Sequence, residues 1–157
     1  GCEDETIGGI AMAIRSRIAL ALALLPLLAA TMAMGAPKVA PKAPKAVGPY
    51  SQAVKCGDTL YISGQLPIDG ATGAMPESIE DQTRQSLTNL GHILEEAGYS
   101  HADIVKTTVL LTDIADFAAM NAVYATFFTK DMPARICYQV SKLPMGAKVE
   151  IDAVAVK

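Results

Sequence analysis

Between Ser78 and Ala97 the side chains of Ile79, Thr83, Leu87, Leu90, Leu94 and Ala97 recur at intervals of three and four residues and then stop at Gly98. That spacing predicts an amphipathic helix whose single apolar stripe has to be buried against another element. Its neighbours set what that element is. Val105, Thr107, Val109 and Leu111 alternate in the manner of a strand, and segments 52–55, 59–63, 135–140 and 148–156 also read as strands. Cys56-Gly57-Asp58 joins the first two, and its Gly-Asp pair suits a tight hairpin turn. A second helix is expected from its cap Asp116 to about Phe128, with Phe117, Met120, Tyr124 and Phe127 as its buried stripe. The order ββ-α-β-α-ββ predicts an α+β domain with two helices on one face of a mixed sheet.

The chain has room for one such domain. At 157 residues, 51% hydrophobic and 18% charged, it can bury one core and is too short for two ordinary ones. Much of its apolar content lies in a nearly continuous run from Ile18 to Met34, preceded by Arg15 and Arg17 and followed by Gly35 and Ala36. A basic stretch, an apolar stretch and an A-x-G-like exit have the layout of an export signal cleaved between Gly35 and Ala36. Residues 1–35 are therefore expected to be an upstream extension and signal peptide, and the domain to be exported to the periplasm, with no membrane association after cleavage. A membrane anchor is one alternative, since the run approaches the ~17 residues of a short spanning helix. A mitochondrial presequence is another, although the amphipathic period is missing. Cys2 and the acidic Glu3, Asp4 and Glu5 sit badly in front of an export signal, which points to Met12 as the start of translation. Lys38 to Lys45 is rich in Pro, Ala and Lys, so residues 36–46 are expected to form an extended linker, and residues 47–157 the folded domain.

Charge and aromatic content argue against a dedicated nucleic-acid binder. Two of the 13 Lys and Arg and three of the 16 Asp and Glu lie before the apolar run, which leaves the domain slightly acidic, with no Trp and 5% aromatics. Metal binding is not supported. His92 and His101 are the only histidines, neither pairs with Cys or carboxylate at ligand spacing, and both read as surface residues. Cys56 and Cys137 remain after cleavage as one possible disulfide pair.

Three segments carry a more specific signal: Gly48-Pro49-Tyr50-Ser51-Gln52-Ala53-Val54, Pro133-Ala134-Arg135-Ile136-Cys137 and Val149-Glu150-Ile151-Asp152-Ala153. Between them stand Tyr61-Ile62-Ser63-Gly64-Gln65, Asp81-Gln82-Thr83-Arg84-Gln85, Val105-Lys106-Thr107-Thr108 and Asp116-Phe117-Ala118-Ala119-Met120-Asn121. In this order, and nearly without gaps from Ala43 to Val156, they resemble the Rid family of enamine/imine deaminases, in particular its RidA branch. The resemblance implies a chorismate-mutase-like fold, a homotrimer with active sites in the clefts between subunits, a small-molecule 2-imino acid substrate, and no cofactor.

A 2-imino acid carries a carboxylate and a C=N carbon open to water, so its hydrolase needs a cation for the first and a placed water for the second. By residue type alone, Arg135 can be a carboxylate ligand, a surface arginine or a member of an internal salt bridge. As a ligand it would offer two parallel N–H bonds, a geometry lysine lacks. The resemblance assigns it the ligand role. Glu150 lies in a segment whose period of two sends Val149, Ile151 and Ala153 to one face and Glu150 and Asp152 to the other, which is equally the pattern of a solvated polar face. The resemblance assigns Glu150 the positioning of water and the acceptance of its proton, and assigns Asp152 nothing.

It also brings Tyr50, Gly64, Asn121 and Cys137 to the cleft. Tyr50 would wall the pocket, Gly64 would allow close backbone approach, and the Cys137 backbone N–H would help fix the carboxylate. Their plain readings are a core-edge aromatic, a strand bulge, a helix-surface amide and a small hydrophobe. Cys137 is not expected to be a covalent nucleophile, because no histidine is placed to activate it. Ile136, Tyr138 and Gln139 depart from the family's usual Ser, Val and Glu, and are expected to bear on substrate side-chain preference.

Three functions follow: a 2-iminobutanoate/2-iminopropanoate deaminase that releases a 2-oxo acid and ammonia, an endoribonuclease acting on single-stranded RNA, or a non-catalytic, chaperone-like trimer that binds carboxylates in the same cleft. Retention of both Arg135 and Glu150 favours the deaminase, since a binder needs only the arginine. For the leader, mass spectrometry of the native precursor should find an N-terminus at Met12, and a peptide spanning Gly8 to Arg15 would refute that start.

Overall fold

The computed structural model describes residues 35–157, so Cys2, Met12 and the apolar run Ile18 to Met34 lie outside the described residues. The strands are Ala36–Lys38 (β1), Ala53–Cys56 (β2), Thr59–Gln65 (β3), Ile104–Leu111 (β4), Ala134–Gln139 (β5) and Val149–Val156 (β6); the helices are Ile79–Glu96 (α1) and Phe117–Phe127 (α2). They build a six-stranded sheet in the order β1-β2-β3-β6-β4-β5. Only β4 and β5 run parallel, which makes the sheet mixed, as expected.

Strand alternation decides which side chains the helices cover. Leu60 and Ile62 on β3, Thr107, Val109 and Leu111 on β4, and Val149, Ile151, Ala153 and Ala155 on β6 all point inward and are buried. Against them α1 packs Leu87, Leu90, Ile93 and Leu94, and α2 packs Met120 and Tyr124. The expected stripe on α1 is thus the core-facing one. Ser78 caps this helix, its Oγ accepting the Asp81 N–H at 3.0 Å, and Gly98 follows the last turn at φ 79°. The β2–β3 hairpin turns at Gly57, whose φ of 58° is open to glycine.

Three details depart from expectation. First, the segment expected as a solvated linker belongs to the domain. β1 pairs antiparallel with β2, and Ala40 and Ala43 are buried in the core at 2% exposure. Alanine is small enough to enter beneath the sheet edge, and the lysines of the same segment keep to the outside. Second, a register shift between Ile104 and Lys106 turns Val105 outward and Ile104 inward, so the alternation begins one residue earlier than the sequence indicates. Third, α2 buries Met120, Val123 and Tyr124 but leaves Phe117 exposed, and Asp116 makes no side-chain cap. The capping bond comes earlier, from Ala115 N–H to Asp113 Oδ1 at 2.9 Å.

The histidines are not free surface groups either. Both are half-buried. His101 Nε2 lies 3.0 Å from the Leu87 carbonyl and its ring packs on Phe127 at 5.3 Å, while His92 Nδ1 is enclosed without a partner.

Gln52 fastens the 36–46 segment. Its side-chain oxygen accepts the Ala40 N–H at 2.7 Å, and its amide nitrogen donates to the carbonyls of Pro44 at 2.7 Å, Ala40 at 3.3 Å and Ala43 at 3.4 Å. The side chain is buried, so removing it strands backbone groups away from water. Gln52→Ala should lower the free energy of unfolding by about 2–4 kcal/mol, and proteolysis near Lys42 and Lys45 should accelerate. Denaturant melts and timed digestion check both, and an unchanged midpoint would show that water replaces the amide without cost.

Candidate active site

A cleft of ≈ 610 Å³ opens where β3 ends and β6 begins. Glu150 reaches it from β6, on the helix-free face, because its neighbours Val149 and Ile151 are held inward. Gly64 stands beside it on β3, where the register shifts between Ile62 and Gln65. A Cβ at position 64 would overlap the Glu150 carboxylate, so glycine here leaves room for that side chain to lie against β3. Tyr50 forms part of the wall, with its hydroxyl accepting the Val47 N–H at 3.4 Å. Val47, Leu66, Ile68 and Met145 make much of the remaining lining apolar. Burial in this setting, and secondarily the charge of Asp152, raise the pKa of Glu150 above its ordinary range. Asp152 itself is occupied, its Oδ1 accepting the Thr108 N–H at 2.9 Å. Of the two alternating acids, Glu150 is the one that faces the cleft.

A second cluster stands on the other face, at the sheet edge formed by β5. Arg135 pairs in register with Thr107 of β4 and turns toward α2. There its Nη1 donates to Asn121 Oδ1 at 2.8 Å, and its Cζ lies 4.7 Å from the Tyr124 ring centroid and 5.7 Å from that of Phe117. Phe117, Asn121 and Tyr124 are spaced i, i+4 and i+7, so one helix face seats the guanidinium. Among the described residues the ion pair is Lys42 with Glu95, which leaves Arg135 without a carboxylate and removes the internal salt bridge as its explanation. Cys137, two residues on, packs against the core; burial pushes its thiol pKa up although Arg135 opposes this, which disfavours the thiolate a nucleophile needs.

The six sequence-derived residues therefore fall into two groups: Tyr50, Gly64 and Glu150 at the cleft, and Asn121, Arg135 and Cys137 at the β5 edge. Arg135 is two strand spacings from Glu150, about 10 Å, and three residues along from Tyr138, which shares a register row with Glu150, about another 10 Å. The two side chains also leave opposite faces of the sheet. One copy of the chain cannot bring them onto one small molecule.

Other expectations change with this geometry. Cys56 on β2 and Cys137 on β5 are four strand spacings apart, about 19 Å, and cannot pair within one chain. Ile136 and Tyr138 point away from the clamp, onto the helix-free face, and Gln139 Oε1 accepts the Ile114 N–H at 3.0 Å, fastening the approach to α2. Sequence reasoning missed the seat itself: Phe117, expected in the core stripe, is exposed, and Tyr124, in the core as expected, also carries the guanidinium. The available signal was Asn121, a polar residue set between them at helical spacing.

Known proteins share the sequence and fold of this chain. The family model described as Endoribonuclease L-PSP matches residues 40–157. A RutC family protein of Sinorhizobium fredii is 58% identical over 113 residues, covering 71% of this chain and 90% of that protein. A 2-iminobutanoate/2-iminopropanoate deaminase of Capra hircus is 52% identical over 117 residues, covering 74% and 85%. The crystal structure of E. coli TdcF with bound serine superposes with a TM-score of 0.75 at 43% identity, covering 78% of this chain and 98% of that one. The chain belongs to the endoribonuclease L-PSP family, the Rid proteins that its motifs resemble, and is of the RidA type within it.

Proposed function

We propose that the protein hydrolyses 2-imino acids such as 2-iminobutanoate and 2-iminopropanoate to 2-oxo acids and ammonia, as a homotrimer whose sites join the cleft of one subunit to the β5 edge of the next. The observation that carries this reading is the division of the site: a guanidinium with no acid beside it among the described residues on one face, and a half-buried carboxylate in an apolar cleft on the other. Each supplies what the other lacks for a substrate bearing a carboxylate and a C=N bond. The deaminase name of the Capra hircus relative and the serine bound by TdcF support it, since serine carries its carboxylate one carbon from its nitrogen, as a 2-imino acid does. Tyr61, Ile136 and Tyr138, exposed on the helix-free face, supply apolar surface for assembly.

In the proposed reaction Arg135 and the Cys137 backbone N–H hold the substrate carboxylate. Glu150 orients water toward C2, takes its proton as the C–O bond forms and passes that proton to the nitrogen; the C–N bond then breaks with its electrons leaving on ammonia, while the C2 hydroxyl gives its remaining proton to Glu150 as the C=O bond closes, and that proton departs with ammonia as ammonium. No cofactor takes part. The leader reading adds that the domain works outside the cytoplasm, on imines released there by an amino-acid oxidase or dehydrogenase.

Mutation separates the two halves. Arg135→Ala should raise KM roughly ten- to hundredfold, from loss of charge-assisted hydrogen bonds of ~1.5–3 kcal/mol each, and Arg135→Lys should recover part of it. Glu150→Gln should lower kcat with little change in KM. Refolding the Arg135→Ala and Glu150→Gln proteins together should restore activity to about a quarter of wild type, since some shared sites then inherit both intact residues. An oxidase-coupled assay of 2-oxo acid and ammonia, with light scattering for the assembly, measures this; mixed trimers with no regained activity would sink the shared site.

The pH profile gives a second check. Glu150 acts only when ionised, and its raised pKa in the unliganded protein places the acidic limb of kcat/KM above the ordinary carboxylate range. Because the Asp152 charge contributes to that rise, Asp152→Asn should move the limb to lower pH while its amide oxygen still accepts the Thr108 N–H. A limb that stays in place would mean another group controls it.

A further inference from the structure

We infer that Tyr124, anchored by Thr107, is the positioning residue that aims Arg135 at the substrate carboxylate. This rests on the proposed role of Arg135 as carboxylate ligand. An arginine on an edge strand, with four side-chain torsions and no acid beside it, has no ionic partner to give it a direction. Here three neutral groups of α2 supply one. The Tyr124 ring lies 4.7 Å below Cζ, Phe117 closes another side at 5.7 Å, and Asn121 takes one Nη1 hydrogen at 2.8 Å.

The manner of support matters. A guanidinium donates its hydrogen bonds in its own plane and stacks through its faces, so an aromatic ring can fix its orientation and leave the remaining N–H donors free. A carboxylate partner would fix the orientation equally well but would occupy the fork that the ligand needs.

The ring is itself immobilised. Tyr124 is 5% exposed and Thr107 0% exposed, and their oxygens lie 2.7 Å apart. Thr107 is also the β4 residue in register with Arg135. One buried threonine thus ties the strand that carries the arginine to the ring beneath its guanidinium. Burial pushes the Tyr124 phenol above its usual range, against the effects of Thr107 and Arg135, so the ring remains neutral at working pH.

The test uses the full chain and two readouts. Removing the ring in Tyr124→Leu should raise KM for 2-iminopropanoate by roughly three- to thirtyfold with kcat within about twofold, the span of a cation–π contact. Tyr124→Phe should recover most of the affinity, because it keeps the ring. Thr107→Val breaks the same hydroxyl contact as Tyr124→Phe and should resemble it, and it gives a milder probe if the leucine variant folds poorly.

Independently of turnover, ¹⁵N relaxation of the Arg135 Nε–H should report an ordered side chain in wild type. It should report a mobile one in Tyr124→Leu and the same order in Thr107→Val as in Tyr124→Phe; Arg135→Lys identifies the signal among those of Arg15, Arg17 and Arg84. The inference is overturned if Arg135 stays as rigid without the ring as with it, or if Tyr124→Phe and Tyr124→Leu lose kcat and thermal stability alike. If wild type hydrolyses no imine, the functional reading fails, while the relaxation arm still decides whether Tyr124 positions Arg135.

Discussion

The cleft of this domain is held in shape by side-chain amides that bond the backbone of the loops around it. Loop backbone has no ladder to bond to, and near a core it cannot rely on water. Gln52 meets this need for the segment around Ala40 and Pro44, and Asn89 does so from α1, its Nδ2 donating to the carbonyls of Leu66 at 3.0 Å and Ile68 at 2.8 Å. Gln82 accepts the Lys148 N–H at 2.8 Å and donates to the Pro76 carbonyl at 2.7 Å, joining the turn before β6 to the entrance of α1. Pro44, Leu66, Ile68, Pro144 and Met145, which line the cleft, stand on the loops so fastened. Helix and hairpin positions that composition alone would assign to leucine are therefore amides, because an apolar side chain there would leave several carbonyls unpaired.

A second constraint is the period of two. On β6 it sends Val149 and Ile151 into the core and Glu150 out to the helix-free face; on β5 it turns Arg135 and Cys137 toward α2. Neither orientation can change without exposing core residues or burying charge, so the separation of the two charged groups is built into the sheet. Under the proposed shared site, assembly becomes a requirement of the chemistry rather than an addition to it, and Tyr61, Ile136 and Tyr138 on the helix-free face find cover in the same step.

The fold was largely legible because its signals are local. The α1 stripe, the Gly57 turn and the alternation on β6 each need only a few residues to be read. What stayed hidden depends on distant partners. Ala40 and Ala43 carry no hydrophobic signal strong enough to mark core, and the surrounding lysines and prolines disguise the segment as linker; Gln52, twelve residues from Ala40, makes it part of the domain. The shift of β4 that exchanges Val105 for Ile104 comes from pairing with β6 and cannot be seen in β4 itself. At the site, residue types and motifs named the six residues, but not that they occupy two faces. Phe117 and Tyr124 were hidden by their chemistry, since a stacking platform for arginine and a core stripe have the same helical spacing.

The electrostatic state of Glu150 fits the proposed reaction better than that of an ordinary surface acid. Burial and Asp152 both favour its protonated form, which makes the anion a stronger base once formed. A protonated imine bound beside it would bring a positive charge and favour the anion, so the complex would hold Glu150 ionised. As water adds to C2, the iminium charge is consumed and that stabilisation disappears. The affinity of Glu150 for a proton then rises in the same step in which water must give one up. Asp152, one of whose oxygens already accepts the Thr108 N–H, is not free to turn to a water in the cleft. Under the proposed reaction the neighbouring acids differ in role because they differ in hydrogen bonding, and the glycine at position 64 leaves room for the Glu150 side chain against the backbone of β3.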